Sequence, residues 1–429
     1  MGSREVVITG MGLVSPLGAT VAENWAGVKA MKTGIRRYPR AGVPGGMQYL
    51  GRSAAPPLPR DLPAHLAGQL KFLNRGSLLG FGAAVEAIGQ ARAAWAAAPA
   101  HRRSLCIASG DLTKIGCEFL YPAVKEASSA GWRGIDHARL NEATLGKVNP
   151  FFLLESLPNN LFSFLSAYLE SMGSNASLAS LAPCGGHAIE LAARSIRQGR
   201  ADIAVAVGCG SWINEIPLYE LDGLGIVSRC GEGASSFRPL DRRRDGFIAG
   251  EGGAALVLES AESAAKSGAP VWGWIRGTGN CVEFTPGRAL AVPPLVSKRC
   301  MQIAMDDAGC RFDDLAFITP HGSGTRRGDA SEILSIARVL DERKAAAPVS
   351  AMKAYTGHLG AASDIAEVIL GIAALGERFV PATLNFAEPD RALPPLDISG
   401  VHRSSAKKSF LSISYGVGGQ SSSVVAEVP

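Results

Sequence analysis

Asn175-Ala176-Ser177-Leu178-Ala179-Ser180-Leu181-Ala182-Pro183-Cys184-Gly185-Gly186-His187-Ala188-Ile189 reads as a small-residue strand that turns sharply into a helix. Beyond the corner, Ile189, Ala192, Ala193 and Ile196 recur on one helical face, and Gly199 supplies the stop. The reading places Cys184 in the first turn of that helix. Unpaired backbone N–H groups and the positive end of the helix dipole there favour thiolate over thiol. A strand-to-helix corner of this kind is the repeating joint of an α/β protein.

The rest of the chain repeats the joint. Strands are predicted over 6–10, 105–109, 203–208, 254–259, 272–279, 317–320, 347–350 and 410–415. Helices are predicted over 77–96, 186–198, 297–308, 329–340 and 364–375. The alternation implies buried sheets covered by helices. With 429 residues, two halves are expected, 1–262 and 263–429, the second restarting at Trp272 after a charged helix near Glu262–Lys266. The net charge of +5 is too small to argue for nucleic acid.

Eight cysteines stand at 106, 117, 184, 209, 230, 281, 300 and 310, none as Cys-x-x-Cys, so neither a zinc site nor a dithiol motif is expected. No signal-peptide core opens the chain. The apolar stretches 151–169 and 78–98 are broken by Glu155, Pro158, Glu86 and Arg92, so no membrane span is expected and the cytoplasm is the expected location.

Four later segments carry chemistry. Asp241-Arg242-Arg243-Arg244-Asp245-Gly246-Phe247 runs on through Gly250-Glu251-Gly252, with its arginines expected to form a solvated, salt-bridged turn. Thr319-Pro320-His321-Gly322-Ser323-Gly324-Thr325 follows a strand, with Gly328, Asp329 and Glu332 beyond it. Ser350-Ala351-Met352-Lys353 precedes Gly357-His358-Leu359-Gly360-Ala361-Ala362, and Tyr415-Gly416-Val417-Gly418-Gly419-Gln420 lies near the end. His358, ahead of a run of small residues, suits a neutral imidazole that donates to an oxyanion. The glycine-rich turn can offer N–H groups to developing negative charge. The spacing of 322–328 fits neither nucleotide loop pattern.

Together these motifs resemble, almost end to end, the elongating Cys-His-His β-ketoacyl-acyl carrier protein synthases of the thiolase superfamily. The opening Val7-Ile8-Thr9-Gly10-Met11-Gly12-Leu13-Val14-Ser15-Pro16-Leu17-Gly18 belongs to the same likeness. The resemblance implies a duplicated five-layer α-β-α-β-α sandwich and a decarboxylative Claisen condensation. Cys184 would hold the acyl group. His321 and His358 would donate to the enolate oxygen, with Lys353 and Glu332 setting their electrostatics. Cys184 and Val417 N–H groups would form the oxyanion hole, while Ser323, Thr325, Gly418 and Gly419 would bind the phosphopantetheine arm.

No metal or resident cofactor is implied, since that arm arrives on the substrate. The partners implied are an acyl carrier protein and a second subunit, as a homodimer or a heterodimer with a related subunit. Lys71, Arg75, Arg194, Arg197 and Arg200 are candidates for the carrier-docking rim. The family's usual Ala, Ser or Thr after the nucleophile is replaced by Gly185-Gly186. Its Phe in the glycine-rich turn is Val417, and its Thr-Asn after the turn is Gln420-Ser421. These departures suggest a roomier acyl tunnel, for long or unusual chains of polyene or polyketide kind. The alternatives are a chain-length-determining partner without catalysis, whose relatives typically lack the cysteine, and an acyltransferase on the same fold.

Overall fold

Every residue of the strand Ile203–Ser211 is buried, yet its two faces differ in size. Ile203, Val205 and Val207 point into one core with Phe81 and Phe164, whereas Ala204 and Ala206 point into another with Ala188 and Ala192. Large side chains thus meet an outer helix layer, and small ones let a central helix layer come close. The computed structural model describes residues 4–429 except 41, 111–118, 153, 155, 156, 158, 181 and 288–290. Cys117, Glu155 and Pro158 therefore lie outside the described residues.

Nine strands form the main sheet: β1 Val6–Val14, β2 Arg103–Ser109, β3 Asn175–Ala179, β4 Ile203–Ser211, β5 Glu251–Ser260, β6 Gly273–Val282, β7 Leu315–Thr319, β8 Ser409–Tyr415 and β9 Gln420–Glu427. Their order is β3-β2-β4-β5-β1-β6-β9-β8-β7. Within the first five, β5 runs antiparallel to β4 and β1, and the pairs β2–β4 and β2–β3 are parallel. The rest repeat this order. A bridge from Val349 to Ile318 extends the far edge, β7 and β8 are parallel, and β9 is antiparallel to β8 and β6. The two sets join where β1 pairs with β6 through Val7–Trp274 and Ile8–Gly273.

Helices cover both faces. Helix α1 (Arg75–Gln90) lies on β1, β4 and β5, and α3 (Lys298–Ala308) on β6 and β9. Between the two sets sit α2 (Cys184–Arg197) and α5 (Ala362–Gly376), which touch each other and strands of both sets. Helix α4 (Arg326–Arg343) packs on α3. Each central helix follows the third strand position of its own set, so α2 and α5 are counterparts.

The expected helix 77–96 is instead α1 plus a short helix, Arg92–Ala97, with a break at Ala91 (φ −110°, ψ 19°). The expected strand 347–350 is reduced to single-residue bridges at Val349. Strand β9 was not foreseen, because Gln420-Ser421-Ser422-Ser423 lacks the apolar run that marks the other strands. Those serines are buried in the sheet interior, where Ser422 faces Gly186 in the first turn of α2 and Ser421 and Ser423 point to the other face.

Candidate active site

Cys184 is the first residue of α2 and only 1% exposed, and its Sγ donates to the Ser180 carbonyl at 3.2 Å. Burial pushes the thiol well above its ordinary range, and the Asp364 carboxylate pushes the same way. The expected thiolate at the helix end is therefore corrected: in this dry setting desolvation outweighs the helix terminus, and the resting group is a thiol.

His358 is seated by backbone. Its N–H donates to the Ile248 carbonyl at 2.9 Å, and its own carbonyl accepts from Gly250 at 2.9 Å. Its ring stacks on Trp212, centroids 4.5 Å apart, and its Nδ1 accepts from the Gly360 N–H at 3.2 Å. That bond leaves the ring proton on Nε2, which faces His321 Nε2 at 3.3 Å. His321 Nδ1 meets the Ser414 hydroxyl at 3.1 Å. Burial holds both rings well below the usual histidine range, and Lys353 reinforces it, so both are neutral at pH 7.

Lys353 is buried and donates to Glu367 Oε1 at 2.8 Å. The resemblance gave Lys353 and Glu332 a role in the histidines' electrostatics and did not point to Glu367; the 14-residue separation across a turn carries no local signal. Glu332 instead accepts from the backbone N–H groups of His321 (2.6 Å) and Gly322 (2.8 Å), fixing the histidine's main chain. Burial raises Glu332 to about 8 and Glu367 to about 7. Asp329, raised to about 6 by burial, accepts from the N–H groups of Gly324 and Leu240. Arg244, expected in solvent, is 4% exposed and bonds to Asp390 and to the carbonyls of Asp241 and Arg326, which ties its loop to α4.

Ser323 and Thr325 hydroxyls lie 2.8 Å apart, and Thr325 caps α4 by accepting from Gly328. In the glycine-rich turn, the N–H groups of Gly416, Gly418 and Gly419 donate to Gln420, Ala291 and Gly416. Gly418 and Gly419, expected to bind substrate, thus spend their donors within the protein and shape the turn at φ +93° and +88°. Val417 N–H has no backbone acceptor among the described residues.

A cavity of about 90 Å³ collects these groups: His321, His358, Ser323, Thr325 and Val417 line it with an apolar wall of Trp212, Leu221, Ile226 and Phe247. Ala182, two residues before the thiol, is also on the wall. The room inferred at Gly185 and Gly186 is absent. A Cβ on Gly185 would strike the Ala361 carbonyl, and one on Gly186 would strike Ser422. Of the docking candidates, Arg75 is held by Glu251 at 2.8 Å and Arg197 by Asp307 at 2.9 Å, which leaves them poorly placed to greet a partner. Among the described residues no group of acidic, histidine or cysteine side chains could hold a metal ion, and no helix is long and apolar enough to cross a membrane.

Two family models match, "Beta-ketoacyl synthase, N-terminal domain" over residues 3–264 and "Beta-ketoacyl synthase, C-terminal domain" over 286–387. The chain belongs to the β-ketoacyl synthases, acyltransferases that form carbon–carbon bonds in fatty-acid or polyketide synthesis. Among its relatives is a putative polyketide beta-ketoacyl synthase 1 of Streptomyces halstedii, 30% identical over 100% of this chain and 99% of that one. Another is the 3-oxoacyl-[acyl-carrier-protein] synthase 2 of Vibrio cholerae serotype O1, 28% identical over 99% of both. A beta-ketoacyl synthase crystal structure from Burkholderia phymatum STM815 superposes with TM-score 0.83 at 26% identity, covering 99% of this chain and 100% of that one. A type II polyketide ketosynthase, solved with its acyl-carrier protein and bound to a hexaketide, shares the fold at TM-score 0.82 and 23% identity, both chains covered in full.

Proposed function

We propose that this chain condenses malonyl-acyl carrier protein with an acyl group held on Cys184, releasing CO2. The observation that carries the reading is the pair of neutral, buried imidazoles, His321 and His358, on the wall of a cavity that Ala182, Ser323, Thr325 and Val417 also line. Cys184 attacks the acyl thioester carbon; the new S–C bond replaces the carrier's C–S bond, and the thiol proton leaves on the carrier thiol. Malonyl carrier then loses CO2, and the electron pair enters an enolate whose oxygen His358 Nε2–H stabilises. The enolate carbon attacks the acyl-Cys184 carbon, whose oxyanion takes the N–H groups of Cys184 and Val417. Cys184 leaves as thiolate and regains one proton.

The phosphopantetheine arm would lie along Ser323 and Thr325, and these steps call on no metal or resident cofactor. Lys353 holds the rings neutral by its charge. The division of the chain into halves 1–262 and 263–429 belongs to the same reading, supported by the recurrence of one strand order. A second copy, or a related subunit, is the proposed partner at the open edge of β3, whose residues alternate between exposed and half-buried. Trp132, Leu145, Phe151 and Met172 are exposed apolar residues in the chain between β2 and β3.

Specialisation for long or unusual acyl chains rests on Val417 and the apolar wall, with Gly185 and Gly186 no longer supporting it. The test incubates the protein, and Cys184→Ala, with a panel of acyl-carrier proteins and malonyl carrier, reading intact mass and CO2. Expected are acylation that Cys184→Ala abolishes, CO2 release coupled to a two-carbon gain, and faster loading of long or polyunsaturated primers. Preference for short saturated primers would remove the specialisation. Absence of both acylation and CO2 release would instead favour a chain-length partner role.

A further inference from the structure

A cavity of about 840 Å³ opens where the two strand sets join, bordered by Met11 of β1 and by Trp272 just before β6. It shares no lining residue with the acyl chamber, and the proposed condensation does not use it. Ile372 and Leu375, in its lining, stand about 12–17 Å along α5 from Asp364, whose carboxylate meets the Cys184 helix at Gly186. Met11, Trp25 and Val428 continue the apolar lining and are buried, while Trp272 forms a wall that is 42% exposed. Small-molecule sites occupy about 300–1,000 Å³ and recur at junctions between packed units.

The two side-chain carboxylates of the cavity are already spent. Glu86 accepts from the N–H groups of Leu13 and Val21, each at 2.9 Å. Glu377 accepts from Trp25 Nε1 at 2.7 Å and Lys29 Nζ at 3.0 Å. Three exposed cations, Arg378, Lys407 and Lys408, border the same space. Backbone bonds gather them: Ser405 N–H donates to the Arg378 carbonyl, and Val428 N–H to the Lys408 carbonyl, both at 2.9 Å. Lys407 Nζ donates to the Leu315 carbonyl at 3.1 Å. Among the described residues the Arg378 guanidinium, the Lys408 ammonium and the Trp272 indole N–H have no hydrogen-bonding or ionic partner.

Arg378 is placed at a backbone cost. Its N–H closes α5 on the Leu375 carbonyl at 2.9 Å, and it lies in the left-handed region (φ +61°), where a helix end usually carries glycine. A long cationic side chain therefore borders the cavity at a position where glycine would be the easier choice.

We propose that this cavity binds a free single-chain amphiphile, an apolar tail ending in one carboxylate, with the tail on the buried lining and the head at Arg378 and Lys408. The carboxylate would exchange water for charge-assisted hydrogen bonds to the two cations and the Trp272 N–H. The tail would take the indole and aliphatic surfaces out of water. A neutral chain leaves the cations unanswered, and a small anion leaves the lining wet, so the site asks for both in one molecule. Neither acylation of Cys184 nor decarboxylation is involved, so this binding and the proposed condensation can fail separately.

The experiment is isothermal titration of the full chain with decanoate, and with decanol as the same tail without charge. Saturable binding of one decanoate per chain is expected, and it should persist in Val417→Trp, whose side chain crowds the acyl chamber instead. Arg378→Gln combined with Lys408→Gln should weaken decanoate about tenfold or more and leave decanol unchanged. Ala373→Trp, which fills the cavity from its half-buried side, should weaken both ligands. Equal affinity in the native chain and the double glutamine variant, equal affinity for decanoate and decanol, or loss of binding in Val417→Trp would each overturn the proposal. So would co-sedimentation with phosphatidylglycerol vesicles in the absence of decanoate binding, which would make this face a membrane contact.

Discussion

Glu332 shows how a single buried carboxyl can serve the backbone rather than the chemistry. It grips two consecutive N–H groups, those of His321 and Gly322, yet burial lifts it to about 8. Its folded-state value lies above the unfolded one, so it binds a proton in the folded chain where the unfolded chain has lost it. Its contribution is therefore full below the unfolded value and declines as pH rises to about 8. Unfolding free energies measured in urea from acid to pH 8.5 contain this contribution, which falls with pH in the native protein. The difference between the native protein and Glu332→Gln should therefore decline as pH rises toward about 8, and a constant offset between the two curves would contradict the assignment. The buried histidines act oppositely: held below their unfolded value, they cost stability as pH drops through that value. The motif residues Cys184, His321, Lys353 and His358 were legible in the sequence because turns and small neighbours surround them. Glu367 and Asp364 were not, since inside the apolar helix α5 their positions look like ordinary breaks in a hydrophobic run.

At the scale of elements, the central helices are defined by how closely main chains approach. Gly208 and Gly210 on β4, Gly110 after β2, and Gly185 on α2 all face the backbone of Leu359–Ala361. No side chain separates them. Gly185→Ala is expected to destabilise the protein by about 1–3 kcal/mol, read from the urea midpoint, because the new methyl meets a carbonyl that cannot move aside. An unchanged midpoint would restore the idea of free space beside the nucleophile. The strands with continuous apolar runs were legible in the sequence, since burial on both faces leaves no polar alternation to confuse them. Strand β9 escaped because its serines are chosen for size: hydrophobicity patterns register polarity and cannot register that a hydroxyl-bearing side chain is small enough for the helix above it.

For the whole molecule, the recurring strand order puts α2 and α5 in equivalent places, one bearing the thiol and the other the carboxylate beneath it. The outer edge of β3 has no partner strand among the described residues. Met172, three residues before this strand, and Leu145, in the chain between β2 and β3, are 76% and 91% exposed. Sedimentation of the native chain at micromolar concentration is expected to show a dimer, and the double variant Met172→Lys with Leu145→Lys a monomer. A dimer that survives both charges would move the interface elsewhere.

The glycine seam on Leu359–Ala361 also constrains how this enzyme can change through descent. Positions 110, 185, 208 and 210 admit almost no variation, so selection for a new primer has no purchase on that side of the nucleophile. It must act at residues that line the cavity away from the seam, such as Val417, Leu221 and Ile226, where a substitution alters the acyl chamber without meeting the Leu359–Ala361 backbone. Heritable drift in substrate range and heritable integrity of the fold are thereby assigned to different residues, those that line the cavity and those that form the seam.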